Sequence, residues 1–193
     1  MPRILTSQLV PAYTGTLPLP FGCGLEAAGI VSAIGSIALE QVGEMKSIEA
    51  VFVSAAAGGT GQYVVQLAKL AGNHVIGTCS SDEKVEDLKK IGCDRAINYM
   101  KEDVDAVLKK EYPNGVDLVF ETVRVTSSVR GFFLQNHAKL IPLHIERLLK
   151  LMAEGKLNPG IDPTEFRGLE SIPDVVDYMY ARKNSGKLIV QLN

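Results

Sequence analysis

A glycine-dense segment, residues 55–61, carries the clearest chemical signal in this chain. It reads Ala-Ala-Ala-Gly-Gly-Thr-Gly, follows the apolar run at residues 50–53 and precedes a helical pattern that starts at Gly61. Glycine permits a tight turn and lets phosphates approach the backbone, while the N-terminus of the next helix offers free N–H groups and a positive dipole end. A strand, a glycine turn and a helix in this order predict a site for a dinucleotide pyrophosphate.

The segment after the next apolar run bears on which dinucleotide is bound. In an NAD-specific fold, an Asp or Glu about 20 residues past the glycine turn binds the ribose 2′-hydroxyl. Here residues 78–81 read Thr-Cys-Ser-Ser, and Lys84 follows one helical turn later. Hydroxyls and a lysine suit a 2′-phosphate, so NADP is favoured over NAD. Two alternatives stay open: Asp82 and Glu83 face the ribose, or Lys84 is an ordinary solvated lysine.

Bulk composition excludes several classes of protein. The chain has 193 residues and a net charge of -2, which argues against a nucleic-acid or membrane-surface partner. It contains no apolar run of about 18 residues, the length of a membrane span. Neither a signal peptide nor a peroxisomal tripeptide is apparent, and without such a signal for a peroxisome or mitochondrion we expect a cytoplasmic protein.

The cysteines give no sign of a metal site. Cys23, Cys79 and Cys93 show no C-x-x-C spacing and no neighbouring histidine, whereas structural zinc needs clustered ligands. We expect buried, reduced thiols and no bound metal.

The elements that must position these residues alternate from about residue 50 onward. Apolar strands are predicted near residues 50–54, 74–79, 96–99 and 116–120, and amphipathic helices begin near residues 61, 81 and 103. This alternation predicts an α/β fold with a parallel, doubly wound sheet. Two further helices are predicted at 139–154 and 171–182, and a last strand at 187–190.

Taken together, these residues resemble the medium-chain dehydrogenase/reductase family, in its zinc-independent quinone oxidoreductase group. The resemblance covers most of the chain, and its motifs are specific in combination. It is carried by residues 24–31, 55–62, 75–84, 88–99, 131–134, 168–172 and 183–187.

The resemblance implies a two-part architecture. A Rossmann NADP-binding domain would cover residues 36–149, and residues 1–35 would be a partial GroES-like β lobe. Residues 150–193 would return to the catalytic lobe. The family commonly forms homodimers, which we expect here as well.

The resemblance also implies cofactor-binding residues. The glycine turn would act through Gly59 and Thr60, and the adenosine end would be held by Ser80, Lys84 and Tyr99. Thr122 would face the ribose region of the cofactor, and Asn184 would reach the cofactor from the C-terminal segment. The nicotinamide would be enclosed by Phe132, Phe133 and Leu134.

The chemistry implied by the resemblance is NADPH-dependent reduction of an activated C=C bond in an enone (15-oxo-prostaglandin-like) or a quinone. Hydride passes to the β-carbon, and hydrogen-bond donors stabilise the negative charge on the carbonyl oxygen without a metal. The proton donor is not identified. His137 is a candidate by position, whereas His74 and His144 are expected to be structural.

The chain also departs from the family pattern. Residues 1–35 keep only fragments of a β lobe, and after Val123 the expected helix and strand are absent. Such a sheet would leave two strands unpaired. We therefore hypothesise an abridged sequence, with joins near 12–13, 35–36 and 123–124.

Two other functions remain open at this point. A catalytically silent, structural relative would keep the nucleotide fold and bind cofactor without turnover. A zinc-dependent alcohol dehydrogenase is disfavoured because no ligand cluster is visible.

Overall fold

The computed structural model describes residues 3–7, 33–121, 130–132 and 134–192, and its centre is a six-stranded parallel sheet. The strand order is β4-β3-β2-β5-β1-β6. The strands of this sheet are β1 (Arg3–Ser7), β2 (Ala50–Val53), β3 (His74–Cys79), β4 (Arg95–Asn98), β5 (Leu118–Glu121) and β6 (Arg130–Phe132). The helices are α1 (33–42, whose second half Ala38–Val42 is a π-helix), α2 (Gly59–Leu70), α3 (Asp82–Lys90), α4 (Val104–Glu111), α5 (Ile141–Ala153) and α6 (Ile172–Tyr180). A small second sheet pairs β7 (Phe166–Arg167) with β8 (Val190–Gln191).

The predicted alternation of strands and helices is confirmed, and local signals explain where the helices begin. The Ser81 hydroxyl accepts the Lys84 N–H at 3.4 Å and caps α3, whose first turn is acidic. The Asp103 carboxylate caps α4 in the same way, accepting the Ala106 N–H at 3.1 Å. Gly92, with a φ of 97°, follows α3 and ends it.

The core lies on both faces of the sheet, as parallel sheets require. Val51 and Val53 point to one face and pack with α1 and α2, while Phe52 points to the other and packs against α4. Each of these three strand residues is at most 9% exposed. Because successive strand side chains point to opposite faces, these three residues are packed on both sides of the sheet. This packing fixes the end of β2 that leads into the glycine turn.

The N-terminal strand overturns the prediction that two strands of the sheet are unpaired. β1 pairs in parallel with β5, with Leu5 opposite Phe120, and also with β6, with Leu5 opposite Arg130. The prediction that the strands flanking the missing segment are left unpaired is therefore wrong, because Arg3–Ser7 supplies the intervening backbone. These five residues thus pair within the central sheet, and the division of the chain into residues 1–35, 36–149 and 150–193 stays a prediction.

The other predicted boundaries lie partly inside and partly outside the described residues. The hypothetical join at 35–36 lies inside the continuous helix α1, and those at 12–13 and 123–124 fall outside the described residues. The predicted domain boundary after residue 149 falls within α5. No helix in the described ranges is long and apolar enough to cross a membrane.

A buried hydrogen bond joins α1 to α5. The Ser36 hydroxyl lies 2.8 Å from Nδ1 of His144, and the two residues are buried. Burial lowers the pKa of the His144 imidazole; the charge of Glu40 opposes this shift and that of Arg147 adds to it. His144 therefore stays neutral in the folded protein, as expected of a structural histidine.

This histidine predicts a loss of stability on acidification. Because its folded pKa is lowered, the unfolded chain takes up the proton first, and stability falls as the pH drops below about 6.5. Urea unfolding of the wild type and His144→Gln across this range measures the effect. The stability difference between them should shrink at low pH, with His74→Gln, at an exposed strand start, as the control. A pH-independent difference would contradict the assignment.

Candidate active site

The glycine turn leaves the carboxyl end of β2 and leads directly into α2. Gly58 precedes the helix in an extended conformation, and no side chain of the described residues caps the helix N-terminus. No capping side chain therefore competes with an anionic ligand for the N–H groups of the first turn. Gly59 and Thr60, two predicted pyrophosphate-binding residues, are the first two residues of α2.

Gly61 explains why the turn needs glycine at that position. A Cβ there would lie 2.5 Å from the carbonyl oxygen of Ala55 and 2.7 Å from Cα of Ala56. Both are backbone atoms, so no side-chain rearrangement relieves the clash. The absence of a side chain lets α2 pack closely on the end of β2, which is one role of glycine in a dinucleotide-binding turn.

A pocket of about 270 Å³ opens beside the turn. It is lined by Ala55, Ala57, Gly58, Thr78, Cys79, Ser80, Lys84, Tyr99, Met179, Arg182 and Asn184. Four residues predicted to bind the cofactor thus meet in one place: Ser80, Lys84, Tyr99 and Asn184. They come from the end of β3, from α3, from the end of β4 and from the C-terminal segment.

Lys84 points into this pocket rather than into bulk solvent. Its Nζ lies 3.4 Å from the Ser80 hydroxyl and donates to the Arg182 carbonyl oxygen at 2.7 Å. Burial, joined by the nearby charge of Arg182, lowers the pKa of the Lys84 ammonium. The alternative interpretation of Lys84 as an ordinary solvated lysine is therefore disfavoured.

The two acidic residues that left NAD open do not line the pocket. Asp82 accepts a hydrogen bond from Asn98 Nδ2 at 2.7 Å and pairs with Lys101. The Lys101 ammonium, followed by Asn98, lowers the pKa of the Asp82 carboxyl. Glu83 is likewise absent from the lining residues. Neither Asp82 nor Glu83 therefore lies in the lining of the pocket next to Ser80 and Lys84.

The C-terminal segment is tied to the glycine turn by backbone contacts. The Gly186 N–H donates to the Ala57 carbonyl at 2.9 Å, and the Lys187 N–H donates to the Gly160 carbonyl at 2.8 Å. The buried Asp162 carboxylate accepts the Ser185 N–H at 2.7 Å. These bonds position Asn184 at the mouth of the pocket.

A hydrogen bond between two side chains joins the carboxyl ends of the central strands β2 and β5. The Ser54 hydroxyl, directly after β2, donates to Oε1 of Glu121 at the end of β5 at 2.7 Å. The sheet reverses its winding between these two strands, and open α/β sheets bind their ligands at such a switch point. Sequence reasoning missed this pair because two residues 67 positions apart are brought together only by the strand order.

The predicted nicotinamide-binding residues lie partly outside the described part of the chain. Thr122 and Phe133 are among the residues not described. Phe132 ends β6, and Leu134 starts a short 3-10 helix, Leu134–Leu140. The roles of these four residues stay predictions.

The histidines occupy three different settings. His137 lies half-buried at a kink inside the 3-10 helix. His74 is exposed, and its Nε2 lies 2.8 Å from the Tyr112 hydroxyl, while His144 is the buried partner of Ser36. No proton donor is defined by these positions.

The thiols agree with the prediction where they are described. Cys79 and Cys93 are free and buried, and burial raises the pKa of Cys93 to about 12. Cys23 lies outside the described residues. Within the described ranges, no group of three or more His, Cys, Asp or Glu side chains is arranged to hold a metal ion.

Comparison with known proteins identifies the class to which this fold and site belong. Residues 59–133 match the family described as zinc-binding dehydrogenase. The chain superimposes on the crystal structure of CurA from Vibrio vulnificus in complex with NADPH with a TM-score of 0.77, covering 92% of this chain and 67% of that one at 22% identity. At that identity the match shows a shared fold.

Individual relatives narrow the class further. Prostaglandin reductase-3 of Mus musculus is 41% identical over 81% of this chain and 55% of its own length. A probable quinone oxidoreductase of Leishmania amazonensis is 36% identical over 84% and 62%, respectively. The NADP(+)-dependent 2-alkenal reductase of Nicotiana tabacum is 29% identical over 97% and 66%. The chain is thus similar to members of the quinone oxidoreductase group of the medium-chain dehydrogenase/reductase family, and it spans 55–66% of the length of these curated relatives.

Proposed function

We propose that this chain binds NADPH and reduces the activated C=C bond of enones or quinones. The observation that carries the proposal is the pocket in which Lys84 and Ser80 meet beyond the end of β3, with no carboxylate among its lining residues. An ammonium and hydroxyl groups recognise a phosphate, whereas a ribose 2′-hydroxyl calls for a carboxylate.

The described residues fit the remainder of the cofactor as well. The uncapped N-terminus of α2 supplies N–H groups for a pyrophosphate, and Gly61 holds that helix against the turn. Asn184 and Tyr99 flank the adenosine end. The nicotinamide, when bound, supplies the hydride, and this chain supplies its position and orientation.

Names of the relatives support the substrate class. They include a prostaglandin reductase, a quinone oxidoreductase and a 2-alkenal reductase, and both quinones and 2-alkenals carry a C=C bond activated by a carbonyl group. We therefore propose an enone, 15-oxo-prostaglandin-like, or a quinone as the substrate of this chain. No metal ligand takes part in this proposal.

Assay of the purified protein with NADPH and an enone or a quinone tests the activity. Oxidation of the cofactor, followed by its absorbance, is the expected result. Tight NADPH binding without turnover would instead favour the catalytically silent relative.

Replacing Lys84 tests the cofactor assignment. Lys84→Ala should weaken NADPH binding by roughly 10- to 100-fold, the range expected for a lost hydrogen bond to a charged group. NADH binding should be unchanged, because NADH lacks the 2′-phosphate. Fluorescence titration with each cofactor measures both constants.

The matched control for this experiment is Lys89→Ala. Lys89 lies on the same helix but pairs with Glu86 at 2.8 Å and does not line the pocket. Its replacement should leave both affinities unchanged. Equal loss of NADPH and NADH affinity in Lys84→Ala would contradict a 2′-phosphate contact.

The proposal extends to the oligomeric state of the protein and to its location in the cell. We infer a cytoplasmic homodimer, because the family commonly pairs through its nucleotide domains. In the described part of the chain, β6 is an edge strand that pairs only with β1, which suits such pairing. Light scattering gives the solution mass, and a monomeric mass would contradict the dimer.

A further inference from the structure

The pocket contains a second cation that sequence reasoning did not assign. Arg182 lies two residues after the end of α6 and lines the same pocket as Lys84. We propose that Arg182 is a specificity-determining residue that binds the 2′-phosphate of the cofactor together with Lys84. This inference rests on the proposed function and extends it.

The backbone at Arg182 is the first observation. Its φ of 57° is left-handed, and its N–H donates to the Met179 carbonyl at 2.9 Å while the Lys183 N–H reaches the Tyr178 carbonyl at 3.3 Å. These two bonds form a Schellman motif, whose left-handed position strongly favours glycine. Helix termination therefore does not explain an arginine here, and a strained residue beside a ligand pocket points to a role for its side chain.

The contacts of Arg182 are the second observation. The Arg182 carbonyl accepts the Lys84 ammonium at 2.7 Å, which holds the two residues together at the edge of the pocket. The guanidinium forms no hydrogen bond or ion pair with any other residue in the described ranges. Burial lowers the pKa of the Lys84 ammonium, and the charge of Arg182 acts in the same direction.

The charge balance of the pocket identifies the ligand chemistry. Two cationic residues, Lys84 and Arg182, line the pocket together with Ser80 and Tyr99, which carry hydroxyl groups, and none of the lining residues is acidic. A phosphate monoester carries between one and two negative charges near neutral pH, which matches two cations. A guanidinium fork binds two phosphate oxygens at once, while an ammonium acts as a point charge.

The neighbouring acidic group does not neutralise this pair from within the pocket. Asp162 is the carboxylate whose charge reaches Lys84. It is buried, and its oxygens already accept the N–H groups of Ser185 and Thr164. Asp162 is not among the lining residues, so the lining itself carries a positive charge that suits an external anion.

Binding of small fragments of the cofactor tests Arg182 directly. The probes are 2′,5′-ADP, which carries the 2′-phosphate, and 5′-AMP, which lacks it. Arg182→Gly should weaken 2′,5′-ADP binding roughly tenfold, about the value of one charge-assisted hydrogen bond, and leave 5′-AMP binding unchanged. Arg182→Lys should retain part of the affinity, because it keeps the charge but not the fork.

Two controls separate this role from a structural one. Arg182→Gly places the favoured residue in the left-handed position, so its melting temperature should equal or exceed that of the wild type. Lys183→Ala removes the adjacent cation, which does not line the pocket, and should change neither affinity. Unchanged 2′,5′-ADP binding in Arg182→Gly, or equal weakening of both probes, would overturn the proposal.

The same titrations distinguish failure of this inference from failure of the proposed function. If Lys84→Ala loses 2′,5′-ADP and Arg182→Gly does not, only the assignment of Arg182 fails. If the wild type binds 2′,5′-ADP no better than 5′-AMP and Lys84→Ala changes nothing, the NADPH assignment itself fails.

Discussion

Replacing Gly61 by alanine is expected to lower the free energy of unfolding by about 3 kcal/mol, the upper part of the range for overpacking. The added methyl group would lie 2.5 Å from the Ala55 carbonyl oxygen and 2.8 Å from that of Ala56. Relief requires α2 to move away from β2, since both contacts are with backbone. That movement would also displace the N-terminal N–H groups, so dinucleotide binding should be lost along with stability. Urea unfolding and NADPH titration measure the two effects.

Gly59→Ala is the matched control for this experiment. The two glycines lie two positions apart in the first turn of α2, but a Cβ on Gly59 would meet only Lys187, with the nearest atom at 3.5 Å. That is an ordinary van der Waals contact, and alanine is the better helix former. We expect the stability of Gly59→Ala to stay within about 0.5 kcal/mol of the wild type. Similar losses in both variants would show that the close packing at Gly61 is not what the turn requires.

The nucleotide fold was predictable because its signals are local. Apolar runs of strand length, a glycine turn and Ser81 before an acidic first turn each act within a few residues. The position of β1 was not predictable in this way. The identity of its neighbours depends on which strands lack a partner, and Arg3–Ser7 joins β5 and β6 across more than a hundred residues of sequence.

Those residues of the candidate site that come directly after a strand could be predicted from the sequence. Ser80 and Lys84 lie where a second strand and its helix must place them, and the resemblance added Tyr99 and Asn184. Arg182 could not be identified from the sequence, because its role depends on its contact with Lys84, which is distant along the chain. Its left-handed backbone conformation is also unexpected from the sequence, since glycine is the usual residue at that position. Asp162 and the Ser54–Glu121 pair were missed since their partners are distant in sequence.

The inserted strand β1 leads to the second large effect. Leu5 lies opposite Phe120 on one side and Arg130 on the other, so its backbone is in the interior of the sheet. Proline has no N–H, and within a paired strand it removes a ladder hydrogen bond and leaves a carbonyl without its donor. We expect Leu5→Pro to lower the free energy of unfolding by about 3 kcal/mol or more. Urea unfolding followed by circular dichroism measures this loss.

Leu5→Val separates the backbone effect from a change of side chain. Valine keeps the N–H and favours strands, so the ladder to β5 and β6 stays intact and the loss of stability should be much smaller than with proline. Hydrogen exchange adds a local reading: the amides of Leu118–Glu121 should lose protection in Leu5→Pro and keep it in Leu5→Val. If Leu5→Pro were as stable as the wild type, with β5 equally protected from exchange, the sheet would not depend on the pairing of Arg3–Ser7 with β5 and β6.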